Sequence, residues 1–146
     1  MGKKKIGLLL GAILLVCLVI PLGAAVGDIR VYVDGTEVTF LDQKPVINKD
    51  NRTLVPIRFV TRALGGEVNW LDSSQTVEIK YSGKIISLTV GENFAWLDGQ
   101  KKVFDTTTII MNDRVMIPLR FVSECLGAYV HWNGATYEIF ITKDYF

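Results

Sequence analysis

Side chains able to do chemistry near neutral pH are scarce in this chain. It holds one histidine, His131, and two cysteines, Cys17 and Cys125. His131 lies between Val130 and Trp132 in a stretch with strand periodicity, so it should point away from the face those two bury. That position reads as an exposed surface histidine. A metal site built on it would need carboxylate partners that the spacing does not supply. Serine–histidine catalysis would need a placed serine with an acid behind the imidazole, and no G-x-S-x-G turn occurs in the chain. Cys125 falls on the apolar face of a short helix, where a free cysteine acts as a small hydrophobe. Asn48, Asp50 and Asn51 resemble part of a calcium loop, but they lack its regular spacing and closing glutamate, and a hairpin turn is the expected use. Arg58 and Arg120 recur near the start of two short helices, where the helix dipole opposes a cation. Ion pairs or carbonyl contacts tying helix to sheet are expected for them, with an anion site as the alternative.

Aromatic residues are the better candidates for recognition. Tyr32 and Trp96 stand two residues ahead of two Asp-Gly pairs, on the strand face opposite Val31/Val33 and Ala95/Leu97 respectively. If exposed, they would be stacking platforms for sugar rings or anchors for a protein partner; burial of both between the two repeats is the competing and favoured expectation. Trp70 and Trp132, also equivalent, are expected to cover the helix ends as core.

The elements that must position these residues come in two copies. Leu54-Val55-Pro56-Ile57-Arg58-Phe59-Val60 returns as Met116-Ile117-Pro118-Leu119-Arg120-Phe121-Val122, 62 positions later. The same displacement carries Leu64-Gly65-Gly66 onto Leu126-Gly127-Ala128 and Val68-Asn69-Trp70 onto Val130-His131-Trp132. Asp34-Gly35 matches Asp98-Gly99 at 64, and Val77-Glu78-Ile79 matches Tyr137-Glu138-Ile139 at 60. In each repeat, alternating residues around the Asp-Gly pair predict a tight hairpin of type I′. Pro56 and Pro118 fit the first helical position. Ile57, Val60, Ala63 and Leu64 then share a face, as do Leu119, Val122, Cys125 and Leu126, and Gly65 and Gly127 stop the helices. A hairpin follows each helix, with Asn133-Gly134 as a tightened turn in the second repeat, and Lys84–Val90 adds a strand before that repeat begins. A helix of about ten residues cannot stand alone and must lie on a sheet. The expected class is α+β: two repeated units (29–90 and 93–142), each a twisted antiparallel sheet packed against one short helix.

The N-terminus predicts the compartment. Lys3, Lys4 and Lys5 precede an uncharged apolar stretch, Pro21 breaks it, and Gly23-Ala24-Ala25 supplies small residues for cleavage. This is the layout of a secretory signal peptide over 1–25, with an uncleaved anchor as the alternative. Either way, residues 26–146 should lie outside the cytoplasm, secreted or held at the membrane by the leader alone. Without the leader, 13 basic residues (16 less three) face 15 acidic ones, a net charge of about −2. No basic run remains to suggest nucleic acid. Only Cys125 survives processing, so no intrachain disulfide can form and the core must hold the fold.

The repeated V-P-[IL]-R-F-V … L-G-[GA]-x-V-x-W pattern, seen in 54–70 and again in 116–132, resembles the copper amine oxidase N-terminal (stalk) domain family of exported proteins in Gram-positive bacteria. The resemblance covers roughly Ile29 to Thr142. It implies a twisted antiparallel sheet on a helix, with Pro56, Arg58, Phe59, Gly65 and Trp70, and again Pro118, Arg120, Phe121, Gly127 and Trp132, as structural positions. It also implies a non-catalytic module, because copper and the quinone cofactor belong to a separate domain with three histidine ligands. No enzyme activity, cofactor or metal is therefore expected. The expected partners are a cell-envelope component or an extracellular protein, with the chain a monomer or homodimer. A cell-wall glycan bound through Tyr32 and Trp96 is the alternative.

Overall fold

In the computed structural model, residues 27–143 are described, so the expected leader over 1–25 lies outside the described residues. Two helices, α1 (Ile57–Leu64) and α2 (Leu119–Glu124), and thirteen strands form three sheets among these residues. Sheet I has the order β12 (Tyr129–Asn133), β13 (Glu138–Thr142), β1 (Arg30–Val33), β2 (Thr36–Glu37). Sheet II has the order β10 (Ile109–Met111), β11 (Arg114–Pro118), β4 (Thr53–Pro56), β3 (Val46–Ile47). Sheet III runs β5 (Glu67–Leu71), β6 (Thr76–Tyr81), β7 (Lys84–Thr89), β8 (Phe94–Leu97), β9 (Gln100–Val103).

The protein is α+β, but the expectation of one sheet per repeat is corrected by this topology. Every sheet draws strands from both repeats. The hairpin of repeat one (β1–β2) joins the last two strands of repeat two, and the hairpin of repeat two (β8–β9) extends the strands of repeat one. In sheet I, β1 lies parallel to β13 and directly beside it. In sheet III, β7 intervenes, pairing antiparallel with both β6 and β8, so β8 runs in the same direction as β6. Sheet II joins the halves through a self-complementary register in which Val55 faces Ile117, its sequence counterpart, with Leu54 facing Pro118 and Pro56 facing Met116. Reciprocal ion pairs cross the same boundary: Arg52 to Asp105 at 2.7 Å, and Arg114 to Asp42 through two guanidinium nitrogens. The hydrogen bond from Arg52 holds the Asp105 carboxyl below its ordinary range.

Local chemistry accounts for the turns. Asp34-Gly35 and Asp98-Gly99 both take positive φ (49° and 81°; 47° and 80°), as two-residue type I′ hairpins require. The connection after β12 is not the tightened Asn133-Gly134 turn expected from sequence. Asn133 pairs with Glu138, leaving residues 134–137 as the loop, and Leu71 pairs with Thr76, leaving 72–75. Both loops end on a left-handed residue, Tyr137 (φ 55°) and Gln75 (φ 48°), so the 62-residue displacement persists through the last strand instead of falling to 60.

Pro56 and Pro118 occupy the extended position just before each helix rather than the first helical one, with φ of −66° and −63°. Gly65 (φ 91°) closes α1 in the left-handed conformation, where its N–H reaches Arg62 O while Gly66 N–H reaches Thr61 O. Gly127 also takes positive φ (68°), two residues beyond the Cys125 that ends α2. Helix α1 buries Ile57, Val60, Thr61 and Leu64; Ala63 is exposed, contrary to the expected face, while its counterpart Cys125 is fully buried. The face is rotated because α1 lies against β11, β5, β1 and β4 rather than against one sheet. One apolar core unites both halves, including Val31, Val55, Val60, Leu64, Ile79 and Ile86 with Ile117, Phe121, Leu126 and Ile139. Phe121 is buried and tilts onto Phe104 (centroids 5.6 Å apart), whereas Phe59 is only half-buried and meets Phe40 edge-on at 5.5 Å. No helix among the described residues is long and apolar enough to cross a membrane.

Candidate functional site

The outer faces of sheets I and III carry the recognition candidates, and alternation puts them there. On β1, Val31 and Val33 point into the core and Tyr32 points out; on β8, Ala95 is buried and Trp96 is exposed. The structure does not bring Tyr32 and Trp96 into one site, because each stands on its own sheet. They occupy equivalent positions on two separate faces.

Around Tyr32 the register builds an aromatic row that single-strand reading cannot show. His131 faces Phe140 across β12–β13, and Phe140 faces Tyr32 across β13–β1. The Tyr32 and Phe140 rings stack at 5.2 Å with planes 12° apart, and the His131 ring tilts against Phe140 at 6.3 Å. His131 is exposed, as its position predicted, but it belongs to this row rather than standing apart. Arg30 borders the row, with its guanidinium 5.9 Å from the Tyr32 centroid and paired with Glu138. Partial burial pushes the Tyr32 hydroxyl up in pKa, against the opposing pull of Arg30, and its hydroxyl meets Glu138 Oε1 at 3.4 Å. Tyr129, on the same outward side of β12, is 71% exposed. The strip thus offers flat rings flanked by charges, the arrangement that suits stacking and hydrogen bonding to polyols or a protein surface.

The face around Trp96 is more polar. Trp96, 46% exposed, is opposite Ser87 on β7 and Lys101 on β9, with Phe94 edge-on to it at 6.0 Å. Lys101 Nζ lies 4.0 Å from the Phe94 centroid.

Several other expected roles change. Trp70 does not cover its helix as core: it is 37% exposed, and its indole N–H donates to Asp72 Oδ1 at 3.2 Å. Trp132 is half-buried, edge-on to Tyr137 at 6.0 Å. The two arginines do not share one structural job. Arg120 pairs with Glu124 one turn on, along α2, while Arg58 has no hydrogen-bond or ion-pair partner among the described residues. Asn48 serves a turn: its side-chain oxygen accepts from the N–H groups of Asp50 (3.0 Å) and Arg52 (2.9 Å), and its amide donates to Thr106.

Copper would require several imidazole, thiolate or carboxylate donors converging on one point. His131 faces a phenylalanine, Cys125 is in the core, and no three His, Cys, Asp or Glu side chains cluster among the described residues. These residues do not fit the ion. Burial also pushes the Cys125 thiol up to about 11, far from the thiolate a nucleophile needs.

Comparison with protein families matches residues 32–141 to the copper amine oxidase N-terminal domain. The match spans most of the chain, and the chain belongs to that family: a stalk-like module that is separate from the oxidase's catalytic domain. Comparison with curated proteins returns no match.

Proposed function

We propose that this member of the copper amine oxidase N-terminal domain family works as an exported, non-catalytic interaction module that contacts the cell envelope or another extracellular protein. The observation that carries this reading is the combination of the lysine-led apolar leader (1–25) with a family match over 32–141. A module with two outward faces on different sheets can bridge two surfaces, one through the Tyr32–Phe140–His131 row and one through Trp96. Fractionation of a Gram-positive host expressing the full chain tests it: recovery in the medium, wall or membrane fraction is expected. Retention of all the protein in the cytoplasm would overturn the reading. Mass spectrometry of the N-terminus of the recovered protein distinguishes cleavage near Ala25 from an intact anchor.

A second reading, supported by the stacked row itself, is recognition of cell-wall glycan by the outer aromatics. Co-sedimentation with purified peptidoglycan should then fall in a Tyr32→Ala/Trp96→Ala variant. Equal retention of variant and parent, or none of either, removes that reading and leaves a protein partner or a second copy of this chain as the occupant of these faces.

A further inference from the structure

The two repeats differ at one place in a way that packing alone does not require. Beside the start of α1, a cleft of about 200 Å³ is lined by Ile57, Arg58, Val68, Trp70, Ile110 and Asp113, among others. Its walls are largely aliphatic, its aromatic side is the exposed Trp70, and its unpaired cation is Arg58, for which no described group is a partner. Arg114 also borders the cleft but is neutralised by Asp42.

The corresponding place in repeat two is occupied by the protein itself. Tyr137, held in the left-handed conformation that bulky residues rarely adopt, packs edge-on against Trp132. It also borders an open hollow, lined by neither Trp132 nor Arg120, together with Ile47 and Asn51. By register and displacement those two are the counterparts of Ile110 and Asp113: Ile110 faces Val115 as Ile47 faces Thr53, and 51 and 113 are 62 apart. The residue equivalent to Tyr137 is Gln75, which is exposed. Repeat two therefore covers its tryptophan with a tyrosine ring and pairs its exposed arginine with Glu124, while repeat one leaves Trp70 exposed and the half-buried Arg58 without a partner among the described residues.

We infer that the Trp70–Arg58 cleft is a ligand site for a small monocarboxylate bearing one ring-sized apolar group, which takes the place that the Tyr137 ring fills in repeat two. The volume suits this size, since cavities of about 150 Å³ accept a benzene ring. The ring lies against Trp70 and the surrounding aliphatic side chains, and the carboxylate is held by the Arg58 guanidinium, the group best shaped for it. Asp113 on the rim disfavours a dianion, which selects a carboxylate over a phosphate monoester. The free acid and the C-terminal residue of a peptide share this chemistry. The inference is independent of where the chain resides.

The test is titration of the purified chain with 3-phenylpropionate, read at the indole N–H resonances of the three tryptophans, with Trp70 assigned by its Trp70→Phe variant. A saturable shift of the Trp70 resonance is expected, with affinity weakened about tenfold for the corresponding amide, for phenyl phosphate, and for the acid in Arg58→Gln. Gln75→Tyr should close the cleft and abolish the shift while thermal melting is retained, and Arg120→Gln should leave affinity unchanged. A tripeptide ending in phenylalanine, compared with its C-terminal amide, distinguishes the sources: binding of the free-carboxylate peptide as tightly as the acid assigns a peptide end, weaker binding a free small acid. No saturation, equal affinity for acid and amide, or full binding by folded Arg58→Gln would overturn the inference.

Discussion

The backbone N–H of Lys143 donates to the carboxylate of Asp34 across 2.9 Å, joining two residues 109 positions apart. Asp34 N–H in turn reaches Ile141 O at 2.9 Å, so the first hairpin clasps the final strand. Asp98 does the same for sheet III, accepting from Ile85 N–H at 2.9 Å and donating to Ile85 O at 3.0 Å. The aspartates of the Asp-Gly pairs thus shape a turn and anchor it to a neighbouring strand. Asp34→Ala should lower unfolding free energy by about 1 kcal/mol, the net worth of a partly exposed hydrogen bond to a charged group. Urea denaturation checks this; an unchanged midpoint would show that water replaces the carboxylate without loss.

Because each sheet mixes strands from both repeats, neither repeat can unfold alone. Leu64→Asp, which places an unpaired charge at a position 2% exposed in the shared core, should abolish folding of the whole domain rather than of repeat one. Phe59→Asp should cost less, since Phe59 is only half-buried. Near-UV dichroism of each variant, together with the 29–90 fragment expressed alone, is the check. A folded fragment would refute the coupling.

Thr61 and Gly66 make opposite predictions at one contact. The Thr61 hydroxyl is buried without a partner among the described residues, so Thr61→Val should raise stability by about 1 kcal/mol. A Cβ at Gly66 would approach Thr61 Cγ2 to 2.8 Å and Lys80 O to 3.2 Å, so Gly66→Ala should destabilise by about 1–3 kcal/mol. Adding Thr61→Ser, which removes the Cγ2 methyl, should recover part of that loss. Thermal melts of the three variants decide it, and equal melting of Gly66→Ala and parent would refute the clash.

Cys125 gives stability a dependence on alkaline pH. Its folded thiol titrates near 11, raised by burial, while an unfolded thiol ionises near its ordinary value of about 8.5. Between these values the unfolded chain releases a proton that the folded chain keeps, so stability falls as pH rises, by up to about 1.4 kcal/mol per pH unit. Below about pH 8 the contribution is fully present. Cys125→Ala should flatten the decline between pH 8.5 and 10 relative to the parent. A variant with an identical decline would assign the slope to other groups.

Local physics made much of this legible from the chain alone. The Asp-Gly hairpins follow from the need for positive φ, the helix limits from Pro56, Gly65 and Pro118, and the doubled pattern from counting displacements. Two-residue alternation gives the outward placement of His131 and puts Tyr32 and Trp96 on the strand faces opposite Val31/Val33 and Ala95. The expected burial of those two rings between the repeats is not what the fold does, since Trp96 is exposed and Tyr32 half-buried. The scarcity of reactive groups follows from composition. What the tertiary structure alone decided is which strands become neighbours. Alternation says which side of a strand is apolar but carries no information about the partner strand, so repeat-by-repeat reading assigned each hairpin to its own half. The exchanged pairing put Phe140 beside Tyr32 and rotated α1 so that Thr61 rather than Ala63 is buried. Those outcomes depend on contacts between residues some 60 to 110 positions apart, and such contacts are selected by how the whole core packs, not by any one segment's own preference.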